Sequence, residues 1–388
     1  MKNIYLDNSA TTQVDPEVAK IMTEYMVEKF GNPSSIHFFG QQAKYAMDNA
    51  REKVAKVINA GVKEIFFTSG GTESDNWAIR GFVENYIKKN NKAHIVTSRI
   101  EHSAVYETCR MLEKKYPQLI TVTYLKPDKK GHISPYEVKK ALTSDTVIVS
   151  IMHVNNEIGA INDIAEIGRI CREKCVLFHT DAVQSFTKIP INVKTMNIDL
   201  LSASSHKIYG PKGVGLLYVR NKVDILPILF GGKQESGQRN GTENLPGIVG
   251  FGKAAEIAMK TYKKDIQRIG SLRNKLYELI SKDVKDIILN SDIEEGYEGI
   301  LNISFDGVEG ESLLLALDME GVAVSTGSAC SAGSVKPSRV LLGIGLMEVD
   351  AQSSIRFSIG RNNTMEEIEF AGNAVIKAVE RLRSMSWM

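Results

Sequence analysis

Residues 147–184, VIVSIMHVNNEIGAINDIAEIGRICREKCVLFHTDAVQ, carry the clearest indication of the fold class. The segment opens with a short apolar run, Val147–Met152, continues through an amphipathic stretch, Ile164–Lys174, and ends in a second apolar run, Val176–His179. Short runs rich in Val and Ile, without clean alternation, are typical of strands buried on both faces of a parallel sheet. The order strand, helix, strand therefore predicts an α/β domain.

The same alternation extends on both sides of this segment. Further strands are predicted at Ile65–Phe67, His94–Thr97, Thr121–Leu125, Leu200–Ala203 and Gly215–Val219, and further helices at Thr72–Lys89 and Ala104–Lys115. From about residue 260 the pattern changes to a long polar helix and fewer strands. We therefore expect a large domain with a mainly parallel sheet over residues 15–260. A smaller α+β domain is expected from residues 1–14 together with residues 261–388.

Composition excludes several classes of protein. The 388 residues are 43% hydrophobic with a net charge of +2, which gives no reason to expect binding to nucleic acid or to a membrane surface. No stretch reaches the roughly 20 apolar residues that span a bilayer. Four cysteines in so long a chain do not form a disulfide framework, so a reducing, cytoplasmic setting is expected.

Polar residues follow five of the predicted strands, at the edge where open α/β sheets bind ligands. One strand, Ile65–Phe67, is followed by the polar turn Thr68–Asp75, and the other four are followed by His102, Asn155, Asp181, Gln184, His206 and Lys207. A lone His, Asp or Lys in a loop usually has a structural or surface role. Five strand ends that deliver such groups to one edge indicate a binding site.

A glycine-containing turn, Ser69–Thr72, follows the first strand of this sheet. Glycines let the backbone approach a ligand closely, and a helix start offers free N–H groups to a phosphate. Thr72 and Asp75 have the spacing of a capping box. Taken alone, these residues are more typical of an ordinary glycine turn with a helix cap.

This set of groups suits pyridoxal 5'-phosphate, which needs a phosphate seat, a lysine for a Schiff base and an acid against its ring nitrogen. Competing sites are weaker. There is no P-loop, because Gly210–Gly213 has the wrong spacing. Cys171, Cys175 and His179 suggest a metal spacing, but a change from helix to strand near Cys175 would keep them off one face. No metal is expected.

Seven ordered motifs resemble those of cysteine desulfurases of the NifS/IscS group, which belong to the class V aminotransferase family and have PLP-dependent fold type I. The motifs are YLDNSATT (5–12), GNPSSIH (31–37), TSGGTESDN (68–76), HVNNEIG (153–159), SASSHKIYGPKG (202–213), RNGTEN (239–244) and IRFSIGR (355–361). They run nearly from one end of the chain to the other, so the resemblance is highly specific.

The resemblance implies a role for each matching residue. Lys207 would bind the cofactor covalently, Asp181 would pair with its ring nitrogen, and Gln184 would bond its ring oxygen. His102 would stack on the ring and move protons, and Arg356, with Asn155 near the ring, would bind the substrate carboxylate. The phosphate would be held by Gly71, Thr72, Ser204, His206 and, from the partner subunit of a homodimer, a threonine at the position of Thr242.

The segment STGSACSAGS (325–334) resembles the catalytic loop of this family. A single cysteine is most often a small buried side chain. Here the neighbours are small and polar, which suits an accessible thiolate nucleophile at Cys330.

The resemblance implies conversion of L-cysteine to L-alanine, with transfer of sulfur to Cys330 as a persulfide. An acceptor protein, such as an iron–sulfur scaffold, would then receive the sulfur. A selenocysteine lyase and a sulfur-relay scaffold with weak turnover remain as alternatives. An aminotransferase fits less well, because it needs no nucleophilic cysteine.

Overall fold

The structure, a computed structural model, describes residues 3–88, 92–326 and 336–385. The strands of these residues are β1 (Ile4–Tyr5), β2 (Ile65–Thr68), β3 (Ala93–Ser98), β4 (Ile120–Leu125), β5 (Thr146–Ser150), β6 (Leu177–Asp181), β7 (Leu200–Ser204), β8 (Gly215–Val219), β9 (Ile287–Leu289), β10 (Ile300–Phe305), β11 (Val322–Ala323) and β12 (Ser354–Ser358). The α-helices are α1 (Pro16–Val27), α2 (Phe38–Val57), α3 (Gly71–Ile87), α4 (Ser103–Lys115), α5 (Pro135–Ala141), α6 (Ile164–Glu173), α7 (Leu245–Asp283), α8 (Gly310–Met319), α9 (Arg339–Ile344), α10 (Glu348–Gln352) and α11 (Met365–Met385).

A seven-stranded sheet in the order β2-β8-β7-β6-β5-β3-β4 forms the centre of the fold. Its strands pair in parallel except β8, which runs antiparallel to β2 and to β7. The predicted α/β architecture with a mainly parallel sheet is confirmed.

Successive strand residues pack on opposite faces of this sheet, as the two-residue repeat of a strand requires. Val149 and Leu201 belong to a core that also contains residues of α2, α6 and α7. Their neighbours Ile148 and Leu200 belong to a second core, formed with α3 and α4. Helices therefore cover both faces, which explains why these strands are continuous apolar runs.

A smaller antiparallel sheet, in the order β12-β10-β9, packs with α8, α11 and the second half of α7 around a separate core. The pair β1 and β11 runs in parallel beside it. The 39-residue helix α7 joins this part to the seven-stranded sheet, because its residues Leu245–Ala255 pack in the first core and Ile269–Ile280 in the smaller one.

The expected change from helix to strand near Cys175 is confirmed. Helix α6 ends at Glu173, Cys175 has a positive φ of 56°, and β6 begins at Leu177. Cys171 is buried and Cys175 is exposed, so the two thiols do not share a face with His179.

Across residues 3–88, 92–326 and 336–385, no helix combines the length and the apolarity needed to cross a membrane.

Candidate active site

A cavity of about 460 Å³ lies at the carboxyl ends of the parallel strands. It is lined by Ser9, Ala10, Gly71, Thr72, Asp75, His102, Met152, Asn156, Asp181, Val183, Gln184, Ser204, His206, Lys207, Ser325 and Arg356. Nine of the residues predicted for the site are therefore brought together here. Arg356 comes from β12, so the smaller sheet completes the cavity.

The glycine turn before α3 forms one end of the cavity. Gly70 has φ 155° and ψ −177°, a conformation open essentially to glycine alone. A Cβ on Gly71 would lie 2.7 Å from Cγ2 of Val183 and 3.9 Å from Cβ of Ser204. The turn thus brings the first backbone N–H groups of α3 to the cavity wall, where they can bind an anion.

The predicted capping box at this turn is wrong. The residue before α3 is Gly70, and its carbonyl accepts the Ser74 N–H. Asp75 is 1% exposed, and it lines the cavity instead of capping the helix. The carboxylate of Glu73 accepts the Ser69 N–H, so it orders the turn from outside.

Lys207 lies in a 3₁₀ turn, Ser205–Lys207, directly after β7. Its Nζ donates to the carbonyls of Ser9 and, at 2.7 Å, of Ala10. Burial, assisted by the positive charge of Arg356, lowers the pKa of Lys207 to about 8. The amine is thus close to its neutral, nucleophilic form near physiological pH.

Two buried carboxylates form the floor of the cavity. Asp181, the last residue of β6, accepts the Val183 N–H at 2.8 Å, and burial raises its pKa. Asp75 lies behind it, and burial together with the charge of Asp181 raises the pKa of Asp75 well above its usual range. Oδ1 of Asp75 has no hydrogen-bond partner among the described residues. Burial thus disfavours the charged form of both carboxylates, and a cationic group bound at this floor would favour their ionisation again.

His102 lies beside these carboxylates, at the start of α4. One ring nitrogen of His102 and one carboxylate oxygen from each of Asp75 and Asp181 all lie within 4.8 Å of one another. Nδ1 of His102 accepts the Ala104 N–H at 3.1 Å, and desolvation lowers the pKa of His102. The neutral ring therefore carries its proton on Nε2.

Arg356 provides the positive end of the cavity. It is 5% exposed, and its guanidinium donates to Oδ1 of Asp7 at 2.7 Å and to the carbonyl of Asn156 at 3.0 Å. Its Nε is buried without a partner in the described part of the chain. A guanidinium held on one side in this way suits the recognition of a carboxylate.

Two predicted residues are not in the cavity lining. Asn155 is fully buried behind it, where Nδ2 donates to the carbonyl of Ile100 and Oδ1 accepts the N–H groups of Glu157 and Ile158. Thr242 is exposed on the loop before α7 and lines a separate pocket. The roles predicted for both residues stay predictions.

The predicted nucleophile, Cys330, lies outside the described residues. The chain before it is placed: Ser325 lines the cavity and pairs with Arg356 in an antiparallel bridge.

Sequence reasoning missed several groups of the site. The carbonyls of Ser9 and Ala10 bind Lys207, and Nε2 of Gln184 also donates to Ser9 at 2.9 Å. Backbone carbonyls leave no trace in side-chain patterns, so only the surrounding motif YLDNSATT could have indicated them. Asp75 was missed because its spacing from Thr72 predicted a capping box.

The lining fits pyridoxal 5'-phosphate. The glycine cradle and the start of α3 suit a phosphate, the buried acid Asp181 at the floor suits a protonated ring nitrogen, and the amine of Lys207 suits an aldehyde.

Comparison with known proteins agrees with this geometry. The family model described as aminotransferase class-V matches residues 4–370. The curated cysteine desulfurase IscS of Clostridium botulinum is 48% identical over 387 residues, which cover 99% of this chain and 96% of that protein.

Solved structures agree as well. A NifS-like protein superposes with a TM-score of 0.91 at 37% identity, covering 98% of this chain and 100% of the other. SspA in complex with cysteine superposes with a TM-score of 0.82 at 36% identity, covering 93% and 100% of the two chains.

Proposed function

Because the chain belongs to the class-V aminotransferase family, among its cysteine desulfurases, we propose that it converts L-cysteine to L-alanine and takes the sulfur onto its own Cys330. One observation carries the proposal. A single cavity is lined by a lysine with a lowered pKa, a buried acid and an arginine whose Nε has no hydrogen-bond partner among the described residues. This set can hold the cofactor at one end and an amino acid at the other.

The cofactor is pyridoxal 5'-phosphate, which when bound supplies an electron sink for the bonds of the substrate α-carbon. Lys207 would hold its aldehyde, Asp181 its ring nitrogen and Gln184 its ring oxygen. The phosphate would be held by Gly71, Thr72, Ser204 and His206. Asn155 would act from behind the cavity, where it fixes the turn that carries Asn156.

The side chains divide the remaining work by charge. Arg356 binds the substrate carboxylate through its guanidinium. Lys207, once free of the cofactor, takes a proton on Nζ from the substrate, and its lowered pKa lets it act near neutral pH. Nε2 of His102 offers a proton on the cavity side of the neutral ring.

Cys330 carries out the sulfur transfer. Its thiolate attacks the substrate sulfur, the bond between that sulfur and the β-carbon breaks, and the sulfur stays on Cys330 as a persulfide. The three-carbon remainder takes up protons and leaves as alanine. This is nucleophilic catalysis by a thiolate.

The chain acts as a homodimer in the cytoplasm and hands its sulfur to an acceptor protein such as an iron–sulfur scaffold. Exposure of Thr242 away from its own cavity supports a dimer, since a second copy could then receive it in its phosphate seat.

The chain would form two domains, a large one of residues 15–260 and a small one of residues 1–14 together with 261–388. Lys207 belongs to the large domain and Arg356 to the small one.

Two substitutions test this function. Cys330→Ser should retain the bound, absorbing cofactor yet release no alanine from cysteine. Lys207→Ala should lose the absorbance of the covalently held cofactor. Cys175→Ser, at an exposed cysteine away from the site, is the matched control and should keep full activity. Alanine release at the wild-type rate by Cys330→Ser would refute the persulfide step.

A further inference from the structure

Arg339 joins α9 to the turn that carries His102. Its guanidinium donates to the carbonyl of Arg99 and, at 2.5 Å, to the carbonyl of Glu101. Its Cζ also lies 3.9 Å from the centre of the Tyr106 ring. One side chain thus contacts both the turn after β3 and helix α4.

These contacts bear directly on His102. The carbonyl of Glu101 belongs to the peptide bond that precedes His102, so a hydrogen bond to it fixes the plane from which the His102 backbone continues. Beyond His102, the Tyr106 ring in the first turn of α4 packs on the same guanidinium. Arg339 therefore restrains the chain on both sides of the histidine.

The other end of this connection is also fixed. Ser338, one residue before Arg339, donates to Oε2 of Glu157 and caps α9 by accepting the N–H groups of Val340 and Leu341. Val340, Leu341 and Ile344 pack with Ile100 and Ile158 in a small core of their own. Helix α9 is consequently attached to two of the turns at the carboxyl edge of the sheet.

We propose that Arg339 is a positioning residue for His102, and that it makes the placement of this histidine depend on the seating of α9. The inference rests on the proposed function, because it concerns the same reaction. It adds that one guanidinium holds both α9 and His102. Helix α9 follows the segment with Cys330 in the chain, and His102 lies beside the proposed cofactor seat.

Arg339 also contributes charge. Within residues 3–88, 92–326 and 336–385, the charged or titratable groups that face His102 are Asp75 on α3, Asp181 on β6, Lys207 after β7 and Arg339 on α9. Arg339 and Lys207 oppose protonation of His102, whereas Asp181 favours it. Loss of the guanidinium should therefore ease protonation of His102, whereas a lysine at this position would keep the charge and lose the two-carbonyl geometry.

The test compares Arg339→Gln and Arg339→Lys with Arg383→Gln in the holoenzyme. Arg383 is the matched control, because it also donates to two backbone carbonyls, those of Asp286 and Asp306, but on the far side of the small sheet. Alanine release gives kcat and KM. Histidine NMR gives the protonation midpoint of His102, whose signal is assigned with His102→Asn.

Arg339→Gln should lower kcat by about 10-fold or more, since small misplacements of a reacting group are costly, and should move the His102 midpoint to higher pH. Arg339→Lys should lower kcat with little change in the midpoint, and Arg383→Gln should change neither. The inference is overturned if both Arg339 variants match Arg383→Gln in kcat and in midpoint. Absence of alanine release by the wild type would instead overturn the proposed function, and the NMR midpoint would still test the hold of Arg339 on His102.

Discussion

The protonation state of Lys207 is decided by the residues around its amine. Burial lowers the pKa of Lys207 to about 8, Arg356 acts in the same direction, and Asp181 and Asp7 oppose it. Only the neutral amine attacks an aldehyde. The capture of pyridoxal phosphate by the apoenzyme should therefore speed up as the pH rises towards about 8 and level off above it.

Arg356→Gln should move the midpoint of this profile to higher pH, because it removes a positive charge that disfavours protonation of Lys207. Asp7→Asn should move it the opposite way, since it removes a charge that favours the protonated form. Stopped-flow absorbance measures both midpoints when it is recorded over roughly two pH units on either side of about 8. Equal midpoints in the two variants would refute the electrostatic account.

The residues of the site were predictable to different degrees. Lys207, Asp181 and His102 follow predicted strands, so the sheet topology alone places them at one edge. Asp75 and Arg339 were not predictable from local patterns, because their roles depend on contacts with residues far away in the chain. The position of Asn155 behind the cavity was not predictable either, because it depends on hydrogen bonds from its side chain to three backbone groups.

At the scale of elements, the start of α3 sets the shape of the proposed phosphate seat. Gly71 has no room for a side chain because Val183, from the turn after β6, occupies that space. Gly70 is constrained differently, by its backbone conformation of φ 155° and ψ −177°. The two adjacent glycines therefore predict different responses to the same substitution.

Gly71→Ala should weaken binding of pyridoxal phosphate, because overpacking of about 1 to 3 kcal/mol corresponds to roughly a 5- to 150-fold loss of affinity. Adding Val183→Ala should restore much of the affinity, since the 2.7 Å contact then disappears. Val183→Ala should not rescue Gly70→Ala, whose strain lies in the backbone. Fluorescence titration of the apoenzymes measures the affinities, and an unrescued Gly71→Ala would contradict the steric explanation.

The elements themselves were largely predictable. Gly215–Val219 was predicted with its observed bounds, because the apolar residues of this strand are bordered by turn residues. The run Val147–Met152 was predicted too long, since β5 ends at Ser150 while Ile151 and Met152 stay buried beyond the ladder. The short strands β1, β9 and β11 were missed, because two or three residues carry no measurable periodicity.

At the scale of the whole molecule, α7 connects the sheet that carries Lys207 to the sheet that carries Arg356. Its two ends are buried in different cores, whereas the stretch from residue 256 to 268 contributes no buried residue. The relative placement of Lys207 and Arg356, the two ends of the cavity, therefore depends on the continuity of this helix.

Lys263→Pro should lower the stability of the protein by about 3 kcal/mol, because proline removes a hydrogen bond and clashes in a helix interior. Lys263 is exposed, so Lys263→Ala is a control that keeps the helix and removes the same side chain. Urea unfolding measures stability, and alanine release measures the expected fall in kcat. A proline variant with unchanged kcat would show that α7 does not set the geometry of the site.

The ion pair between Asp7 and Arg356 joins residues that are 349 positions apart in the chain. During synthesis Asp7 leaves the ribosome long before its partner exists, and contacts of such separation form late because a long loop must close first. A nascent chain could fold its central sheet before the positive end of the cavity exists. That end can form only once Arg356, far behind Asp7 in the chain, has been synthesised as well.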